Sequence, residues 1–229
     1  MANIYIPTKS PEDWHGLLAR SDKQWKPGYS ACALAHSWEA ADGFPPEIAL
    51  LLKSAADPAL HEVEVLLAFP EYKVYMPPHP GHASQNDLFV LGKALDGGLM
   101  SIMVEGKVKE AFGPMLSGWR KQKSAGKDKR WEFLKEKLGL HQEPPLTMRY
   151  QLFHRLASAI IEAEKFNAKY AVMIIQSFSP RDESFDDFSA FVSLFDAKAE
   201  IGQLVRLSEL AGISVYAGWA RGDPKFLSE

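Results

Sequence analysis

The sequence predicts an α/β fold organised around one mixed sheet. Three observations lead there. The first sixty residues carry helix patterns, residues 72–108 read as a strand meander, and the remainder alternates helix, strand, helix, strand. Helix and strand periods in that succession mark helices laid against a sheet. The chain has 229 residues, 46% hydrophobic and 24% charged, proportions that exclude a wholly disordered, collagenous or coiled-coil protein. It is expected to form one domain over residues 1–229, helical over 1–60 and sheet-containing over 61–229.

Each element has its own signal. Ser10-Pro11-Glu12-Asp13 opens a helix: serine caps, proline fits the first turn and acids complement the dipole. Pro27-Gly28 marks a turn, and residues 29–41 form a second helix with Cys32, Leu34, Ala35 and Trp38 on its apolar side. Asp42-Gly43 ends it, and Pro45-Pro46 opens another over 47–55. Residues 63–69 fit helix or strand, and residues 72–76 alternate as a strand. Residues 87–91 and 99–108 are strand-like and flank Asp96-Gly97-Gly98, the clearest hairpin signal in the chain. Residues 119–137 are basic and helical in their second half, until Pro144-Pro145. Residues 147–166 form a long helix, 170–175 a buried strand, 185–210 one or two helices, and 213–219 a last strand.

Composition narrows the setting. The net charge of −3 announces no overall basic field. A single cysteine, Cys32, excludes an internal disulfide and a thiolate metal cluster, which fits a reducing cytoplasm. The start of the chain lacks a signal-peptide pattern, and no stretch approaches the ~18 apolar residues of a membrane span, so a cytoplasmic protein without a membrane partner is expected.

The hairpin carries the chemistry. Glu105 and Lys107 interrupt an apolar strand that disfavours both residue types. Two apart, they share a face, with Met103 beside them and Val104, Gly106 and Val108 on the other. If Asp96-Gly97-Gly98 is a three-residue loop, Leu95 pairs with Leu99 and Asp87 falls opposite Lys107, on that same face. A two-residue turn would instead set Asp87 opposite Gly106, on the wrong face. Two carboxylates a few Å apart repel, and a divalent metal removes that cost. Oxygen ligands without Cys or His favour Mg²⁺ or Mn²⁺, and a neighbouring lysine orients water or offsets charge at a phosphate. The pattern points to metal-assisted phosphodiester hydrolysis.

Asp87 followed by Glu105-Gly106-Lys107, on a hairpin after an N-terminal helix, resembles the PD-(D/E)XK nuclease superfamily. The resemblance implies a restriction-endonuclease-like αβββαβ core, with a mixed central sheet flanked by helices and preceded here by a helical segment. It implies metal ligands at Asp87 and Glu105, a backbone carbonyl ligand at Gly106, and Lys107 acting at the scissile phosphate. Glu39, on the helix before the sheet, would complete the metal set, and Gln151, on the helix after the hairpin, would join the catalytic group. Asn86 departs from the proline that commonly precedes the aspartate.

Other features have plainer readings. Arg155 lies one turn from Gln151 on the same helix face, and His154 adjoins it. His79 and His82 lack further zinc partners nearby and read as loop residues; Cys32 reads as core; Asp182, Glu183, Asp186 and Asp187 read as a helix start and surface. Trp119 and Trp131 read as packing residues that could otherwise stack on bases. Residues 105–137 carry ten basic and five acidic residues, a patch suited to tracking phosphates through Lys121, Lys123, Lys127, Lys129 and Arg130.

The expectation is therefore a Mg²⁺- or Mn²⁺-dependent endo- or exonuclease, acting on DNA ahead of RNA, with homo-oligomerisation left open. The alternative is a catalytically inactive nuclease-fold module that binds nucleic acid or a protein partner in a defence or toxin system.

Overall fold

A computed structural model describes residues 5–19, 21–78, 83–122 and 124–229. Its centre is a six-stranded sheet in the order β1-β2-β3-β4-β6-β5. Two short helices, α1 (Glu12–His15) and α2 (Ser21–Gln24), precede α3 (Ser30–Glu39) and α4 (Pro46–Lys53). The meander follows: β1 (Glu64–Val74), β2 (Ser84–Lys93) and β3 (Leu99–Lys107). A crossover of α5 (Leu116–Trp119), α6 (Ala125–Lys137) and α7 (Tyr150–Phe166) leads to β4 (Tyr170–Ser177). The chain closes with α8 (Phe185–Ser193), β5 (Leu204–Leu210) and β6 (Ile213–Arg221).

The first three strands are antiparallel, β3 pairs parallel with β4, β4 pairs parallel with β6, and β5 returns antiparallel on β6. The sheet is therefore mixed, as expected. Every residue of β4 is buried, because helices cover both of its faces and such a strand must be apolar throughout. On one face α7 lays Leu152, Leu156 and Ile160 against Phe89, Met103 and Met173, with α6 and α8 packed around it. On the other face, Leu34 and Trp38 of α3 and Ile48 and Leu51 of α4 meet Leu88, Val90, Val104 and Ile174. Asn167, left-handed at φ 51, ends α7 and turns the chain into β4. No helix among the described residues is long and apolar enough to cross a membrane.

Three expectations need correction. Residues 63–69 and 72–76 do not form separate elements; one strand runs over Glu64–Val74. Residues 185–210 are not all helical, because β5 occupies Leu204–Leu210. Ala211 and Gly212 both have positive φ, at 49° and 81°, and Leu210 pairs with Ile213. That is the two-residue turn whose twist suits a hairpin, and alanine in its first place gave the sequence little sign of it. The β2–β3 loop has three residues, but they are Leu95, Asp96 and Gly97, one earlier than expected. Ala94 N–H donates to the Gly98 carbonyl at 2.9 Å, and Gly97 takes the left-handed place at φ 81.

Asp96 ties this loop to the start of β4. It accepts from Lys169 Nζ, from Tyr170 Oη at 2.9 Å and from Gly98 N–H at 2.9 Å. The Lys169 contact, then the Gly98 N–H, hold its carboxyl down at about 2. A carboxyl depressed on folding adds stability above its unfolded pKa near 3.8 and loses it as pH falls through about 2. The deficit of Asp96→Asn against wild type, measured as a urea midpoint, should therefore be larger at about pH 6 than at about pH 3. A second prediction concerns the seat of α4. A Cβ on Gly218 would lie 2.9 Å from Leu51 Cδ2 and 3.0 Å from Leu204 Cδ1. Gly218→Ala should cost about 1–3 kcal/mol by overpacking, read as a lower thermal midpoint; an unchanged midpoint would show that α4 yields freely.

Candidate active site

The β2–β3 register decides which side chains meet. Leu88 pairs with Val104, Phe89 with Met103, and so on to Lys93 with Leu99. Continued outward, that register sets Asp87 across from Glu105 rather than Lys107. The slip from the expected pairing is an even number of residues, so Asp87, Glu105 and Lys107 still share the α7 side. Gly106 N–H donates to Asp87 Oδ2 at 2.9 Å. Gly106 itself faces α3, where a Cβ would come within 3.4 Å of Leu34 and of the Ser30 carbonyl.

The long helix completes the cluster from its first turns. Lys107 Nζ donates to Glu105 Oε1 at 2.6 Å, and Gln151 Nε2 donates to the same oxygen at 2.7 Å. Arg155 Nε donates to Glu105 Oε2, and Arg155 Nη2 stands 3.5 Å from Asp87 Oδ1. Arg155 Nη1 is held in turn by the Gln85 carbonyl and by Ser84 Oγ at 3.2 Å. Glu105, Lys107 and Arg155 are only 2%, 4% and 5% exposed, so this is a buried ionic network. Asn86, fully buried before Asp87, donates to the Tyr72 and Ser84 carbonyls and so knits β1 to β2.

Asp87, Glu105, Lys107, Gln151 and Arg155 line an open cavity of about 620 Å³, together with Tyr150, His154 and Glu71. Glu71 was not foreseen. Its φ of 52 is left-handed in the middle of a strand, which for a non-glycine residue costs of order 1–3 kcal/mol. Phe69 and Tyr72, three apart, both pack on Phe89, so strand alternation is broken between them and Glu71 is where it breaks. Gln85 Nε2 donates to its carboxylate at 2.6 Å. The sequence signal was faint: a proline before a glutamate inside an apolar run.

The electrostatics follow from burial and charge. Burial, then the Glu105 charge, push Asp87 up to about 7; burial, then the Asp87 charge, push Glu71 up to about 8. Burial alone would raise Glu105 too, but Arg155 and Lys107 hold it well below the usual carboxylate range. Burial keeps the His154 imidazole well below its ordinary value, with Arg155 adding to the effect, and Ser84 Oγ sits 2.8 Å from its Nδ1.

Other expected site residues lie elsewhere. Glu39 does not join the cluster: its Oε1 accepts from Thr8 Oγ1 at 2.6 Å and Trp14 Nε1 at 2.7 Å, tying the N-terminal segment to α3. Lys121, Lys127, Lys129 and Arg130 do not line the cavity. Lys121 and Lys129 are exposed, Lys127 donates to the Trp119 carbonyl at 2.6 Å, and Arg130 donates to the Met76 carbonyl at 2.9 Å. Trp119 stacks on Tyr150 at 4.0 Å and so touches the cavity wall from behind. Trp131 and Cys32 are buried. Lys123, His79 and His82 lie outside the described residues.

Residues 7–224 match the family described as a domain of unknown function (DUF6946), and the chain belongs to it. No curated protein and no solved structure matches it.

Removing one member of a buried ion pair leaves the other unbalanced, at about 3–5 kcal/mol. Arg155→Met should lose stability of that order in urea unfolding near neutral pH. Glu105→Gln in the same chain should recover part of the loss. Equal deficits in the single and double variants would mean that Arg155 contributes packing alone.

Proposed function

We propose that this protein is a metal-dependent phosphodiester hydrolase of the PD-(D/E)XK type, with DNA ahead of RNA as substrate and the cytoplasm as its place of action. The observation that carries the reading is the convergence of Asp87, Glu105, Lys107 and Gln151 on one cavity. The order of elements supports it: a helix, three antiparallel strands, a crossover helix and a parallel strand agree with the αβββαβ arrangement.

The donor set suits Mg²⁺ or Mn²⁺. Among the described residues no group of three His, Cys, Asp or Glu side chains is arranged to hold a metal ion. Mg²⁺ keeps several waters, however, and asks for only one or two carboxylates. Asp87 and Glu105 would hold it. The Lys107 carbonyl accepts from Phe178 N–H on the β4 side, so the alternating backbone turns both the N–H and the carbonyl of Gly106 toward β2 and Asp87. That carbonyl would be the third donor. When bound, the ion supplies Lewis acidity at a phosphate oxygen and lowers the pKa of water.

The chain's own groups do the rest. Lys107 Nζ lies beside Glu105, placed to orient a water and offset charge on the phosphate. Gln151 fixes that ammonium by accepting at 3.5 Å while donating to Glu105. Asp87, held by the Gly106 N–H through one oxygen, has its other oxygen 3.5 Å from Arg155 Nη2 at the cavity wall.

Arg155 favours a second reading. Its guanidinium already bridges Asp87 and Glu105 and is anchored to β2, so the pair has a built-in counter-charge. On that reading the protein is a non-catalytic binding module. Purified protein should cleave DNA when Mg²⁺ or Mn²⁺ is supplied, and Glu105→Gln or Lys107→Ala should slow cleavage by about a hundredfold or more. Salt-dependent DNA binding without turnover on any DNA or RNA form would establish the second reading instead.

A further inference from the structure

The network around Glu105 is balanced by itself. Asp87 and Glu105 face Lys107 and Arg155, two charges against two. Lys23 and Glu110 also reach the cavity and cancel each other. A cavity of that composition has no electrostatic reason to draw in a cation. Glu71, when ionised, changes the balance to a net negative charge. Among the described residues its carboxylate forms no ion pair and takes its hydrogen bond from the neutral Gln85 amide at 2.6 Å.

The backbone shows that this placement is enforced. The left-handed turn in β1 could be made without strain by glycine, yet a glutamate stands there at φ 52. Strained non-glycine residues persist where surrounding structure over-determines them, and they cluster at working sites. β1 pairs Pro70 with Leu88 and Tyr72 with Asn86, so Glu71 stands across from Asp87.

We infer that Glu71 is the positioning residue whose carboxylate, across from Asp87, helps hold a divalent cation at Asp87 and Glu105, a place that Glu39 on α3 does not reach. The inference rests on the metal-dependent reading above. Glu71 acts through the field at Asp87, and the strain in β1 is the cost of holding that field in place. Burial, then the Asp87 charge, raise the Glu71 carboxyl in the cation-free cavity, and a divalent ion beside it would offset both effects.

The test is calorimetric titration of Mn²⁺ into the full chain, with Mn²⁺ alone as the probe. Wild type should bind, Glu71→Gln should bind about tenfold more weakly or worse, and Glu209→Gln, at an exposed position of β5, should match wild type. Glu71→Gly should show the same loss of binding together with a thermal midpoint about 2–4 °C higher, because the left-handed backbone is no longer strained. A merely structural glutamate would lower the midpoint in both variants. Folded Glu71→Gln that binds as tightly as wild type, while Glu105→Gln does not, overturns the inference and leaves the metal-dependent reading standing. Wild type that takes up no Mn²⁺ overturns both.

Discussion

The structure depends on neutralising one buried carboxylate. Glu105 is taken almost wholly out of water, and an unpaired charge there would cost several kcal/mol. Lys107 comes from the same strand, but Gln151 and Arg155 come from α7, and Arg155 reaches on to the backbone of β2. The apolar stripe of Leu152, Leu156 and Ile160 fixes which side of α7 meets the sheet. The ionic contacts add direction, because hydrogen bonds weaken steeply with misalignment. Helix, hairpin and cavity are thus held in one register by a single anion.

Much of this was legible in the sequence, and parity explains why. The expected hairpin register was displaced by an even step, and an even step leaves each side chain on its face. Asp87, Glu105 and Lys107 therefore meet although the loop was placed one residue late. Gln151 followed from a resemblance, and the spacing that put Arg155 beside it held no hint of the bridge it makes. What stayed hidden depends on backbone conformations that composition does not announce. Alanine at φ 49 closes the β5–β6 hairpin, and a glutamate at φ 52 breaks β1. Glu39 lies on a helix before the sheet, as expected, but its carboxylate is already used by Thr8 and Trp14.

Counting charge along the chain overstated the basic patch for a related reason. Arg120 and Lys135 pair with Glu143, Lys137 pairs with Glu164, and Lys127 and Arg130 bond to backbone carbonyls. Several of the cations that made residues 105–137 look like a phosphate track instead fasten the crossover to itself and to the segment that follows β1. Exposed Lys121 and Lys129 remain the clearer contributors to any field felt outside.

The sheet order also says something about how the molecule is made. β1, β2 and β3 join by short connections and can pair early, whereas β3 meets its parallel neighbour β4 only after the whole crossover through α7 has been laid down. Pairings distant along the chain form late, since their loop-closure entropy must be met first. During that interval the meander carries Glu71, Asp87 and Glu105 with Lys107 as their nearest cation, and Arg155 has yet to arrive. Unburied, the acids remain hydrated and repel one another at that end of the three-stranded meander. Until α7 docks, the carboxylates that later define the cavity have no guanidinium beside them, so the same groups that are buried in the finished protein must first be left in water.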